Sequence, residues 1–350
     1  MLDTDEYKFK LNSKLRLHLI DDLGIDNDKI DQIMKMWSEP HRHYHNIDHL
    51  FDTLKSIESK FKDGEIDENE QLILSIAALF HDVIYDPESN INEEESIQYY
   101  KNNVNKLNLD QRVINIITST KFRKEPDERL CRIFWNIDNS ILKSDINGLL
   151  DYEKKIRKEF QFVEYSSYKE ERINFLKSCV GKFDNDDNIK FLIDYIKNYK
   201  LKVAFYPGSF NPLHIGHMNI IEKIEEIFDK VIIGVGVNPE KDTELVEKEI
   251  ITLRNSLNNR QVLDYQGLTT DIINQIEEEG DVEITLIRGI RNSIDLNYEN
   301  DQLKFMKEIS GSDVKVIYIP CDEKYNHISS SKIRKLIKGG YREEANNYLV

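Results

Sequence analysis

The sequence predicts two domains, an all-α helical bundle followed by an α/β domain built on a parallel sheet. Two textures carry this expectation. Before about residue 200, apolar residues recur at helical spacing and strand-like alternation is scarce. Beyond it, short β-branched runs alternate with helical stretches, which argues a parallel sheet covered by helices.

In the first part, EQLILSIAALF (70–80) has a broad apolar face, and 112–119, 133–142 and 189–199 repeat the pattern. GKFDNDDN (181–188) is polar and turn-rich. The first domain is therefore expected over 1–185, a helical linker over 186–200 and the second domain over 201–350. The second domain opens on LKVAFY (201–206), a short apolar run ended by Pro207 and Gly208. A helix from Gly216 to Lys230 places Met218, Ile221, Ile224 and Phe228 on one face. VIIGVGV (231–237), VEITLIR (282–288) and VKVIYIP (314–320) are continuous apolar runs, as strands covered on both faces require. EKDTELVEKE (240–249) reads as a solvated loop or helix face.

A chain of 350 residues can bury two cores, and 39% hydrophobic with 10% aromatic residues fits folded protein. The formal net charge of -16 argues against non-specific nucleic-acid binding, which needs a basic surface. It does not argue against nucleotides held by a few cations in one cleft. No apolar run is long enough to span a bilayer, and MLDTDEYKFK has no signal-peptide pattern. Cys131, Cys179 and Cys321 lack a metal-binding spacing and read as reduced thiols. A cytoplasmic protein without nucleic-acid or membrane partners is expected.

YPGSFNPLHIGHMNII (206–221) follows an expected strand and opens a helix, the place where a doubly wound sheet binds phosphate. Gly208 permits a tight turn, and Gly216 removes a side chain where phosphate approaches backbone N–H groups. His214 and His217, three residues apart, can both offer ring N–H donors to charge developing on phosphate oxygens. HIGH is the signature of the nucleotidyltransferase superfamily, and 201–338 resembles its phosphopantetheine adenylyltransferase branch, with a Rossmann-like fold. YPGSFNP resembles that family's YPGSFDP, with Asn211 in place of Asp. NPEK (238–241) resembles its loop after the second strand, RGIRNSIDLNYE (288–299) its RGLRN…DFEYE block, and HISSSKIR (327–334) its ATP-binding turn.

The resemblance implies adenylyl transfer from Mg²⁺-bound ATP to 4′-phosphopantetheine. It places Ser209, Phe210, His217, Arg291, Tyr298, Glu299, Ser329, Ser330 and Ser331 at ATP. Ser209, Lys241, Leu268 and Arg288 fall at the acceptor, and His214, His217, Lys241 and Arg291 in catalysis. Asn211 and His214 also resemble the SFNPxHxGH of nicotinate or nicotinamide mononucleotide adenylyltransferases, so a mononucleotide acceptor is the alternative.

PHRHYHNIDHLFDTL (40–54) holds four histidines in nine residues, with His45 and His49 on one helical face. AALFHDVIYDPESNINEEES (77–96) adds His81 and Asp82, and IFWNIDNSIL (133–142) holds Asp138 among apolar residues, where an unpaired carboxylate is costly. This ordered set resembles the HD superfamily of metal-dependent phosphohydrolases, and YHN..H also resembles cyclic-nucleotide phosphodiesterases. The resemblance implies metal ligation by His49, His81, Asp82 and Asp138, with His45 as the general acid. One or two divalent transition-metal ions (Mn, Fe, Ni, Co or Zn) suit these ligands, with Mg possible. Glu93 and Glu94 are candidates for a second metal or a water, and Arg42 and Lys121 for substrate phosphate. The expected whole is a bifunctional, homo-oligomeric enzyme acting on small molecules. Its rival is a nucleotide-binding sensor without turnover.

Overall fold

A computed structural model describes residues 13–105, 109–122, 124–237, 243–257, 259–311 and 314–350. The chain divides into two compact units, Met1–Glu159 with Asn174–Asp194, and Phe160–Ile173 with Tyr195–Val350. The division differs from a single cut at 185, because 160–173 groups with the second unit. Buried polar bonds explain this. Gln161 Oε1 accepts the Val231 N–H at 3.3 Å, and Lys230 Nζ donates to the Val163 carbonyl at 2.5 Å. The expected linker 186–200 is largely a helix, Asp186–Asn198.

The described residues of the first unit contain no strand. After a helical turn at Ser13–Leu17, its helices are α1 (Asn27–Trp37), α2 (Ile47–Lys62), α3 (Glu68–Phe80), α4 (Asn92–Asn103), α5 (Gln111–Thr120), α6 (Arg129–Asp138) and α7 (Ile146–Glu159). α8 (Tyr165–Cys179) and α9 (Asp186–Asn198) are each shared between the units. Side-chain caps fix the starts. Asn46 accepts the Asp48 and His49 N–H groups, and Asp67 forms a reciprocal box with Glu70. α3 is the central helix: its residues from Ile73 to Phe80 are all buried, and it packs against α2 and α5. That position explains why its sequence is apolar on more than one face.

Among the described residues of the second unit, five parallel strands lie in the order β3–β2–β1–β4–β5. These are β1 (Leu201–Gly208), β2 (Lys230–Gly236), β3 (Gln261–Tyr265), β4 (Val282–Ile290) and β5 (Val316–Pro320). Between them run α10 (Ile215–Ile227), α11 (Thr243–Leu257), α12 (Thr269–Glu279) and α13 (Ser293–Ser310), with α14 (Ser330–Lys338) and α15 (Arg342–Asn346) at the end. The strand order reverses between β1 and β4, so a crevice opens at their carboxyl ends. β3 was not expected, because the short, half-polar QVLDY lies at a sheet edge and is only partly covered. At Gly234 a Cβ would come within 2.3 Å of the buried Phe205 ring, so the β1–β2 packing needs glycine there.

Lys230 starts β2 with only 4% of its surface exposed. Burial pushes its ammonium pKa down to about 7, against a smaller upward pull from Glu164. The unfolded chain, with an ordinary lysine pKa of about 10.4, binds more protons between these values. Stability of the second unit is therefore expected to rise as pH goes from 7 towards 10. Lys230→Met should flatten that rise in urea melts taken across the same range.

Candidate functional site

In the first unit, His49 from α2, His81 just after α3 and Asp138 at the end of α6 bring their ligand atoms within 4.8 Å of one another. His49 Nε2 lies 3.1 Å from Asp138 Oδ1. His81 Nε2 lies 3.5 Å from the same oxygen and 3.2 Å from Asp82 Oδ2. Asp82 thus reaches the centre through His81 and is not one of the group of three.

The His81 tautomer follows from its surroundings. Nδ1 lies 2.9 Å from the Ala78 carbonyl, which only accepts, so Nδ1 carries the hydrogen. Nε2 is buried without a hydrogen-bond partner; against the pull of burial, Asp82 and Asp138 raise the ring's pKa well above the usual value, so Nε2 either holds a second proton or offers its lone pair to a cation. A lone pair facing two carboxylates is an arrangement a cation resolves, and a ligating histidine commonly donates its other nitrogen to a carbonyl. His49, His81 and Asp138 therefore fit a divalent cation, with Asp82 beside them. Burial disfavours the ionised form of Asp138, but the His49 and His81 rings set against it hold its carboxyl well below the usual range.

Glu159, the last residue of α7, is completely buried beside this centre. Its Oε1 accepts the backbone N–H groups of His43, Tyr44 and His45 at 2.8, 2.6 and 2.9 Å. Its Oε2 accepts His45 Nδ1–H and the Tyr85 hydroxyl, each at 2.7 Å. Burial alone would raise its pKa, yet His45 and these donors bring it down to about 2.

Arg42 is not a substrate contact. Its side chain is fully buried against the carbonyls of His45, Asp82 and Val83, at 3.3, 2.6 and 3.0 Å, and against Glu39 at 3.0 Å. It ties the His45 loop to the His81–Asp82 turn. Lys121 is engaged with Glu94 and with the Asn90 carbonyl at 3.0 Å. Half-buried Glu93 has its pKa raised, first by burial and then by Asp82.

In the second unit, a cleft of about 540 Å³ opens at the β1–β4 switch point. Ser209, His214, His217, Arg291, Tyr298, Glu299, Ser329, Ser330 and Ser331 all line it. Phe210 lies beneath, buried at φ 43°, with its ring centroid 5.0 Å from that of His217. Arg288 stays outside the lining and pairs with Glu299 at 3.0 Å. Leu268 is the residue before α12, at the same carboxyl edge of the sheet but not in the cleft wall. Lys241 lies outside the described residues.

His214 caps α10. The His217 N–H donates to His214 Nδ1, and the His214 N–H donates to His217 Nδ1, each at 3.3 Å. The rings stack at 3.6 Å between centroids. Since both Nδ1 atoms accept, each neutral ring carries its hydrogen on Nε2. Burial first, then Arg291, lowers the His214 pKa to about 4, and burial, His214 and Arg291 lower His217 to about 3. Both histidines are therefore neutral Nε2–H donors near pH 7. Gly216 keeps the space beside them open, because a Cβ there would lie 3.1 Å from the His214 ring and press on it.

Several wall residues escape sequence reasoning. Asp295 holds the Arg291 guanidinium at 2.8 and 3.1 Å, and the Ile328 carbonyl takes its third bond at 3.2 Å. Arg334 lines the cleft and donates to the Asn211 carbonyl. The i,i+4 spacing of Arg291 and Asp295 was the one available signal.

Two outcomes follow from this geometry. Arg42→Met leaves buried carbonyls unpaired, so it should cost on the order of 3 kcal/mol in denaturant melts. It should also weaken Mn²⁺ or Zn²⁺ binding by about 10–100-fold in calorimetry, as loss of ligand support does. Should this cleft turn over ATP, as the sequence resemblance implies, His217→Ala is expected to lower that turnover by about 10²–10³-fold while changing ATP affinity little, the outcome for a ring N–H that meets developing charge.

Residues 205–336 match the family described as Cytidylyltransferase-like. A phosphopantetheine adenylyltransferase of Prochlorococcus marinus is 34% identical over 139 residues, spanning 39% of this chain and 85% of that protein. Those of Limosilactobacillus reuteri and Clostridium tetani are each 31% identical over 144 residues, spanning 40% of this chain and 80% and 86% of theirs. Through this region the chain belongs to the cytidylyltransferase-like nucleotidyltransferases, with the phosphopantetheine adenylyltransferases as its relatives.

Proposed function

We propose that the second unit transfers an adenylyl group from Mg²⁺-bound ATP to 4′-phosphopantetheine, giving dephospho-coenzyme A and pyrophosphate. The observation that carries the reaction type is the paired Nε2–H donors of His214 and His217, set beside Arg291 at the switch point of the sheet. Neutral donors and a fixed guanidinium stabilise charge without taking part in covalent chemistry. Ser329 to Ser331 at the start of α14 suit phosphate at a helix N-terminus. Tyr298 and Glu299 on α13 suit the adenosine. The acceptor assignment leans on the relatives named above and on RGIRNSIDLNYE, with Arg288 and Lys241 on the acceptor side. A homo-oligomer is part of this reading. Phe305 and Ile309, exposed apolar residues of α13 outside the cleft lining, form a step that a second copy would cover.

The first unit is proposed to be a metal-dependent phosphohydrolase acting on a phosphate ester of a nucleotide or related metabolite. The buried, unpartnered Nε2 of His81 between Asp82 and Asp138 carries this reading. A bound divalent cation would polarise the phosphorus and acidify a water. The chain's own part is to hold the ester beside His45, whose ring is one-quarter exposed.

An acceptor panel with Mg-ATP, read as pyrophosphate and adenylylated product by mass, tests the second unit. Dephospho-coenzyme A is the expected product. A dinucleotide product with nicotinate mononucleotide, and none with phosphopantetheine, would replace the acceptor assignment. No product from any acceptor, with ATP still bound, would make the unit a nucleotide-binding sensor.

A further inference from the structure

A second cavity, of about 110 Å³, lies where strands β1 to β4 begin, at the opposite edge of the sheet from the His214–His217 cleft. Its wall is mostly apolar, with Val203, Ile232 and Leu263 from the sheet and Ile272 and Ile276 from α12. One cation stands among them. Lys230 is 4% exposed, and its Nζ donates to the Val163 carbonyl at 2.5 Å. An ammonium has further hydrogens to give. Among the described residues no carboxylate lies within ion-pairing distance of it; Glu164 acts on it only from further off. A buried charge without a counter-ion is costly, and this one borders a space with room for several waters or a small organic molecule.

The rest of the wall favours the same sign of ligand. Tyr165 and Ser166, the first residues of α8, border the cavity, and a helix start carries free N–H groups and partial positive charge. Glu164 is an exposed residue whose carboxylate accepts the Ser166 hydroxyl at 2.8 Å. A single cation in an apolar wall suits a single negative charge on a hydrocarbon tail. A phosphate, with nearly two charges, needs more cations and donors than this wall offers.

We propose that this cavity binds a short-chain aliphatic monocarboxylate, with its carboxylate paired to the Lys230 ammonium and its chain against Ile232, Leu263 and Ile276. None of the residues lining the nucleotide cleft belongs to this site, so it stands apart from adenylyl transfer. Binding moves a proton. Burial holds the Lys230 pKa down at about 7, against the upward pull of Glu164, so near pH 8 the amine is largely neutral. A carboxylate beside it favours the charged form, and Nζ takes up a proton from solvent as the ligand enters. Glu164 and Tyr165 are the other ionisable residues of the wall; β1, β3, β4 and α12 contribute none. The Tyr165 hydroxyl donates to the Tyr199 carbonyl at 3.4 Å.

The test uses the full-length protein with butyrate and butan-1-ol, in calorimetry at pH 8 in two buffers of different ionisation enthalpy. Butyrate should bind with uptake of about one proton per chain. Butan-1-ol has the same tail without the charge and should bind about tenfold or more weakly. Lys230→Met should weaken butyrate by about tenfold or more. Glu164→Gln removes a like charge from the rim and should tighten butyrate by about twofold to fivefold. That position is exposed, so this variant serves if Lys230→Met does not fold. In protein labelled with ¹³C at lysine, butyrate should move the Lys230 ε-CH₂ resonance towards its charged position. No butyrate binding, binding without proton uptake, equal binding of butyrate and butan-1-ol, or unchanged affinity in Lys230→Met would overturn the proposal. Inorganic phosphate binding more tightly than butyrate would overturn it as well.

Discussion

Glu159 is ionised with no access to water, and the geometry of the first unit's site follows from compensating that charge. Three backbone N–H groups converge on one oxygen, which bends residues 43–45 around the end of α7. Arg42 does the converse a few residues away. Its guanidinium has no acceptor of its own, so it gathers carbonyls from the His45 loop and from the Asp82–Val83 turn. An anion that collects donors and a cation that collects acceptors hold the same short loop from opposite sides. The bundle's packing delivers α2, α3 and α6 to one place, but these two charges fix the side chains there.

The second unit meets the same requirement with neutral groups. Helix α10 begins at the sheet's carboxyl edge with backbone N–H groups to satisfy. His214 and His217 cap it reciprocally through Nδ1, so the cap itself selects the Nε2–H tautomer. Burial and Arg291 then keep both rings neutral. Local helix capping and the chemistry of the cleft are thus one feature. Gly216 completes it, since a Cβ would press on the capping ring. The tail contributes as well: the Tyr348 carbonyl accepts the Ile215 N–H at 3.0 Å, which ties the start of α10 to the last residues of the chain.

The strands legible in the sequence were the continuously apolar runs, namely β1, β2 and β4 inside the sheet, where cover on both faces requires it, and the edge strand β5, whose VKVIYIP is apolar although it is only partly covered. β3 escaped because an edge strand need not be continuously apolar. Asp138 looked like an acid inside an apolar helix and proves to be its last residue, which lets the carboxylate leave the core and face two histidines. Arg42, a candidate for substrate phosphate in the sequence, is instead buried against carbonyls. Its burial against carbonyls could not be read from neighbours in sequence, since two of its partners lie 40 and 41 residues away.

The sequence by itself determined the two-domain texture, the nucleotidyltransferase signature and the ordered histidines and aspartates of the first unit. Those features depend on short-range spacing: helical periodicity, a strand-turn-helix junction, a His-Asp pair. Tertiary structure decided the rest. It determined which ring nitrogen of His45, His214 and His217 carries the hydrogen, that Arg42 is structural while Arg291 lines a cleft, and that a glutamate 114 residues beyond His45 supports it. The physical reason is that a tautomer, a buried charge and a compensating donor are properties of surroundings. Those surroundings are assembled from segments whose proximity exists only once the helices and strands have packed.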